Sequence, residues 1–265
     1  MCRFLKVTRS LVYYKRRVRK NETEIENAVI SEFKTNWGVY GTRKIKSALK
    51  RREEPIILSR RKIGKIMAKY NLTSKYVISR SKRRKPKVNE ESKPNIVNRE
   101  FNGRETMEVV VSDLTYVKVS GKWHYICLLI DLSTREIIGS AAGRNKDAKL
   151  IRTAFYRVKG DLRNINIFHT DRGTEYKNEI IDGIINAFGI KRSLSAKGSP
   201  TDNAVAESMY NSLKIEMVFG EMFNNLDDLE LRLFEYVNWY NNKRLHGTLD
   251  YKTPSEYKAL IQKHN

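Results

Sequence analysis

The chain has 265 residues, 40% of them hydrophobic, enough for one sizeable core and a smaller domain. Its formal net charge of +22 works against a compact fold through self-repulsion, so a polyanion, nucleic acid first, is the expected partner. Two distant cysteines, Cys2 and Cys127, four scattered histidines and no apolar run of spanning length exclude a disulfide framework, a structural zinc site and a membrane span, and fit a cytoplasmic protein.

The charge is unevenly spread. Residues 1–93 hold 28 Lys and Arg against 8 Asp and Glu, or +20, whereas 94–265 hold 24 against 22, or +2. After a basic segment at 1–20, the spacing of Ile25, Ala28, Val29 and Phe33 predicts a helix. Thr42 can cap a second helix carrying Ile45, Ala48 and Leu49, and Ser59 a third carrying Ile63, Ile66 and Met67. With turns at Trp37-Gly38 and Glu53-Glu54-Pro55, residues 21–78 read as a small all-α helix-turn-helix domain. Arg60, Arg61, Lys62, Lys65 and Lys69 surround the thin apolar stripe of the third helix, as phosphate contact requires. A solvated basic face is the plainer reading of such a run. Together with Arg43 and Lys44, the residues Arg60, Arg61 and Lys65 are the expected DNA contacts of this domain.

Residues 79–95 are polar and charged, contain Pro86 and Pro94, and read as a flexible linker. Beyond it the pattern becomes that of strands. Val109 to Val119 is rich in β-branched residues, Ser120-Gly121-Lys122 can turn, Trp123 to Ile130 is nearly all apolar, and Ile137 to Ala142 supplies a third strand. A helix over 147–159, a strand over 165–169, a helix over 178–188 and a long helix over 202–219 follow, which is a mixed α/β arrangement around a central sheet. The core is expected over 96–225, and 226–265 completes it with a late helix. The stripe Leu226, Leu229, Leu233, Tyr236, Val237 and Tyr240 on that helix packs on the sheet or meets a second subunit.

Three acids stand out. Asp113 interrupts Val109-Val110-Val111-Ser112-Asp113-Leu114-Thr115-Tyr116-Val117, a strand otherwise built for burial, where an unpaired carboxylate costs several kcal/mol unless a cation meets it. Asp171 follows the apolar run 165–168, where strand ends present side chains to a cleft, with Gly173 permitting a tight turn. Glu207 lies near the start of the long helix, capped by Asp202 or Asn203, and Tyr210, Asn211 and Lys214 follow at helical spacings, so that Lys214 could touch phosphate beside the acid. Oxygen ligands without thiolate or imidazole favour Mg²⁺ or Mn²⁺, and two such ions suit in-line displacement at phosphorus. Each acid alone is as readily a cap or an arginine partner.

Their surroundings add a resemblance. Asp113-Leu114-Thr115-Tyr116, then Phe168-His169-Thr170-Asp171-Arg172-Gly173-Thr174-Glu175-Tyr176, then Lys197-Gly198-Ser199-Pro200-Thr201-Asp202-Asn203-Ala204-Val205-Ala206-Glu207 resembles the acidic signature of the insertion sequence 3 family of bacterial transposases, within the wider group of DDE transposases and retroviral integrases. The 35 residues between Asp171 and Glu207 match that family's spacing. Tyr240-Asn241-Asn242-Lys243-Arg244-Leu245-His246-Gly247-Thr248-Leu249 is similar to its closing motif, and Trp37-Gly38-Val39-Tyr40-Gly41-Thr42-Arg43-Lys44-Ile45 to its helix-turn-helix segment. Val110 stands where the family usually has Trp.

The resemblance implies a ribonuclease-H-like fold, and Asp113, Asp171 and Glu207 as catalytic residues holding two Mg²⁺ or Mn²⁺ ions. It further implies cleavage and joining of DNA at element ends, a homo-oligomer of at least two chains on DNA, a nucleoid-associated location, and an upstream-frame partner protein to which this chain would be the second product. A nuclease of the same fold and a non-catalytic DNA-binding regulator are the rival readings.

Overall fold

Helix α1 (Glu22–Thr35) turns Ala28, Val29 and Phe33 inward, α2 (Thr42–Lys50) turns in Ile45 and Leu49, and α3 (Arg60–Lys69) turns in Ile63, Ile66 and Met67. The computed structural model to which they belong describes residues 22–78, 105–171, 173–195 and 204–264, with the side chains of 204 and 264 left out. The basic segment 1–20, the linker 79–95 and the expected caps Asp202 and Asn203 lie outside the described residues. The chain divides into two compact units, whose described parts are 22–35 with 40–72, and 36–39 with the residues from 73 onward.

The first unit is the three-helix bundle. Ser59 caps α3 as its position predicts, its hydroxyl accepting from the Lys62 N–H at 3.2 Å. Thr42 instead opens α2 behind Gly41, which caps it without a side-chain bond. Glu26 is buried and takes Lys69 Nζ at 2.8 Å and the Tyr70 hydroxyl at 2.5 Å, pinning α1 to the end of α3. Arg43, Arg60, Arg61 and Lys65 stay exposed, while Lys44 lies half-buried with its Nζ 5.2 Å from the centre of the Tyr40 ring.

In the second unit five strands form one mixed sheet in the order β3-β2-β1-β4-β5. These are β1 (Val109–Val119), β2 (Lys122–Asp131), β3 (Ile137–Gly143), β4 (Ile167–Thr170) and β5 (Lys191–Leu194). The first three form an antiparallel meander, and β4 and β5 add parallel to β1. The β1–β2 hairpin closes through Ser120 at φ 44° and Gly121 at φ 80°, the left-handed pair that a two-residue turn needs to follow the strand twist. Against one face, α5 (Ala148–Tyr156) and α6 (Glu179–Ala187) bury Ile151, Phe155, Ile181 and Ile185 on Val110, Cys127, Leu129 and Phe168.

A short α4 (Lys75–Ile78) precedes the sheet, and α7 (Ala204–Leu213), α8 (Leu226–Asn242) and α9 (Pro254–His264) follow it. The long helix expected over 202–219 changes character at Lys214, where residues Lys214–Val218 form a π-helical turn. Leu229, Leu233, Tyr236 and Tyr240 of α8 are buried within the chain, so these four residues of the stripe are core. The Asn241 side chain extends the outer edge of β3, accepting from Ile137 N–H at 3.0 Å and donating to Ile137 O at 2.9 Å. Strand β5 has no apolar alternation in its sequence, Lys191-Arg192-Ser193-Leu194. Its place comes from β4, whose buried His169 reaches Ser193 and Ser195 at 2.9 and 3.2 Å.

Candidate active site

Parallel pairing leads toward two of the acids. Val111 of β1 stands opposite His169 of β4, Asp113 lies two residues further along β1, and Asp171 lies just past the end of β4, near enough for its charge to act on Asp113. Strand alternation turns Asp113 away from the core cluster around Val110. Its Oδ1 accepts from Leu114 N–H at 2.7 Å, and Asp171 Oδ1 accepts from Gly173 N–H at 3.0 Å. Burial pushes the Asp113 carboxyl up to about 6, with the charges of Asp171 and, more weakly, Glu207 adding to it, while the Leu114 N–H and Lys146 oppose it.

Glu207 lies exposed on α7, its carboxyl also raised by partial burial. The helix is fixed by Tyr210, whose hydroxyl enters between β1 and β2, donating to the Asp113 carbonyl and accepting from Leu128 N–H at 2.8 Å. Asp113 and Leu128 are register partners, so this phenol stands where the two strands would otherwise bond directly. Tyr210 is therefore turned inward, whereas Lys214 holds its Nζ 4.7 Å from the centre of the Tyr116 ring.

Sequence reasoning passed over two charged neighbours. Lys146, just ahead of α5, binds buried Glu175 at 2.8 Å and is held protonated by that bond, with Asp171 and Asp113 adding to the effect. Glu175 folds back over Gly173 so closely that a Cβ there would stand 2.3 Å from its Oε1, so a side chain at 173 would push the Glu175 carboxylate aside. Glu175 belongs to the quoted run around Asp171 and was legible as a fourth acid. Lys146 sits in a loop with no pattern to mark it.

All the site's carboxylate donors are oxygen, and their surplus negative charge suits a hard divalent cation. Among the described residues, no group of three or more His, Cys, Asp or Glu side chains stands close enough to hold an ion. The charge of Asp171, and more weakly that of Glu207, acts on Asp113, while the three do not close into a cation site.

This arrangement has relatives. Residues 103–200 and 207–260 each match an integrase core domain, and residues 20–84 match an HTH-like domain. A protein of Shigella sonnei described as "Insertion element IS600 uncharacterized 31 kDa protein" is 30% identical over 222 residues, covering 83% of this chain and 81% of that protein. The chain belongs to the insertion-sequence transposases of the integrase superfamily. The transposase for insertion sequence element IS904 of Lactococcus lactis is 29% identical over 247 residues, covering 90% of this chain and 97% of its own. A chain of the simian T-cell lymphotropic virus intasome, solved in complex with PP2A regulatory subunit B56 gamma, superposes with a TM-score of 0.51 at 11% identity. It covers 87% of this chain and 73% of its own, and shares the ribonuclease-H-like fold. The transposase is accordingly an enzyme of the DDE polynucleotidyl transferase class.

The raised Asp113 carboxyl has a measurable consequence. Between the ordinary carboxylate value of 3.8 and about 6 the folded chain binds more protons than the unfolded one, so metal-free stability falls as pH rises through that window. The ionised group then costs up to about 3 kcal/mol above pH 6. Asp113→Asn, which keeps the acceptor for Leu114 N–H, is expected to melt higher than wild type at pH 8 without metal, and the gain should vanish below pH 4. An unchanged or lower melting temperature at pH 8 would mean that Asp113 is not strained.

Proposed function

We propose that Asp113, Asp171 and Glu207 are the catalytic residues of a DNA strand-cleaving and strand-joining reaction at the ends of an insertion element. The observation that supports this reading is the parallel β1–β4 pairing that ends two residues before Asp113 and Asp171, with α7 tied to the Asp113 carbonyl through Tyr210. Two Mg²⁺ or Mn²⁺ ions, when bound, would neutralise the scissile phosphate and favour ionisation of the attacking hydroxyl.

The chain's residues do the rest by positioning. Asp113 from within β1 and Asp171 from just past the end of β4 present a pair of acids. Glu207, exposed on α7, swings in to complete the set once DNA and cation neutralise the repulsion between the acids. Lys146 supplies the positive charge that keeps Asp113 and Asp171 tolerable near each other beforehand. Lys214 meets a phosphate beside the acids. Arg43, Lys44, Arg60, Arg61 and Lys65 grip duplex DNA from the first unit. Water first opens a phosphodiester at the element end, and the freed 3′-hydroxyl then attacks a second strand in line, with no covalent enzyme intermediate.

The reading includes the division into a helix-turn-helix domain at 21–78, a linker at 79–95, a core at 96–225 and a closing segment at 226–265. It includes at least two chains on DNA, an upstream-frame partner, and a cytoplasmic, nucleoid-associated location. Among the described residues, no helix is long and apolar enough to cross a membrane.

The test is strand joining. With a labelled terminal-repeat duplex, target DNA and Mg²⁺, the expected product is a labelled strand longer than the labelled donor strand, joined to part of a target strand whose remainder leaves with a free 3′-hydroxyl. Cleavage with no joined strand would make the protein a nuclease of the same fold instead.

A further inference from the structure

At the hairpin end of β1 and β2, Tyr116 and Trp123 remain 56% and 51% exposed. Their ring centres are 5.0 Å apart at 86°, an edge-to-face pair on one side of the sheet. Lys214 lies over the Tyr116 ring, and Lys118 over the Trp123 ring with its Nζ at 5.2 Å. An exposed cross-strand aromatic pair stabilises a hairpin by itself. It does not explain two lysines gathered on the same rings from different elements. Among the described residues neither Lys118 nor Lys214 has a carboxylate partner, so the patch is aromatic and uniformly positive.

Two independent measures place this patch relative to the acids. Tyr116 is three residues beyond Asp113 on β1, about 10 Å of strand. Lys214 is seven residues beyond Glu207 along the helix, about 10 Å of rise. The odd separation on β1 turns Tyr116 to the face opposite Asp113, and it is Lys214 that reaches the Tyr116 ring from the helix carrying Glu207.

We propose that Tyr116 and Trp123 form a stacking platform for unpaired DNA bases, with Lys118 and Lys214 moving off the rings to meet the adjoining phosphates. Every base has a face that stacks on an aromatic ring, so such a platform accepts a frayed or single-stranded end without reading its sequence. A closed duplex hides those faces. Lys214 links the platform to the helix that carries Glu207, and to that extent the inference rests on the function proposed above.

The experiment compares two probes without metal: a blunt duplex, and the same duplex bearing a short 3′ overhang of thymidines. Wild-type protein should bind the overhang probe about tenfold more tightly than the blunt one. In Tyr116→Ala/Trp123→Ala this ratio should collapse to about one, whereas Tyr116→Phe and Trp123→Phe, which keep the rings, should retain it. Melting curves confirm that each variant is folded, as expected for side chains half in solvent. A wild-type ratio near one, or a double alanine variant that keeps the wild-type ratio, overturns the platform. Because no metal is present, failure of strand joining would leave this ratio untouched, so the two proposals fail separately.

Discussion

Asp171→Asn should lower both cleavage and joining by on the order of a thousandfold or more while leaving duplex binding close to wild type. The substitution is nearly isosteric, and an amide oxygen still accepts the Gly173 N–H that holds Asp171 Oδ1 at 3.0 Å, so the loop keeps its shape. What disappears is the charge of one of the two acids. Asp113 then loses part of the repulsion that raises it, and its carboxyl should titrate lower in metal-free protein. Product formation on a labelled end, read beside a binding isotherm, separates the effects. Loss of binding together with activity would point to folding. Full activity would remove Asp171 from the chemistry, and equal behaviour of variant and wild type would favour the regulator that binds DNA without cutting it.

Much of this fold was legible because one face of each element is buried. The β-branched run around Asp113 appears as β1 with the expected limits, and the turn at Ser120-Gly121 is where only left-handed backbone closes the hairpin. Strand β5 escaped notice because its four residues carry no apolar alternation and it is recruited by the buried hydroxyls facing His169. The site was legible as three acids in apolar or capping settings, but not as geometry. Only the β1–β4 pairing leads toward both Asp113 and Asp171, and nothing in the chain's local pattern marks Lys146 or turns Tyr210 into the gap between two strands. The π-helical turn was equally hidden, since a smooth helical stripe runs through Lys214.

The same turn carries one partner of a buried ion pair, and breaking that pair should give the largest loss of stability. Glu216, on the π-helical turn, is fully buried, and Arg244 from the closing motif donates to it from Nε at 2.9 Å and from Nη2 at 2.7 Å. The hydroxyls of Tyr76 and Tyr236 donate to the same carboxylate at 2.6 and 2.9 Å, so its lone pairs are filled from α4, α8 and the closing motif together. Burial alone would pull the Arg244 guanidinium down; Glu216 and the surrounding tyrosines more than offset it. Glu216→Ala strands that guanidinium without its counter-ion and should cost about 3–5 kcal/mol, which for a core of this size lowers the melting temperature by roughly 10 °C. Glu216→Gln should cost nearly as much, since the charge is lost and an amide NH2, a donor, then faces donors where a carboxylate oxygen accepted. Replacing both partners by apolar residues should recover much of the loss, because a missing pair is cheaper than a lone buried charge. Thermal melting of the two single variants and the double variant decides it, and additive losses would mean the pair is not coupled. Lys214 rides two residues before Glu216 on the same turn, so the single variants, assayed below their melting temperatures, should join DNA ends more slowly as well. The closing motif then acts on the chemistry at a distance, by holding the turn from which Lys214 reaches the strand.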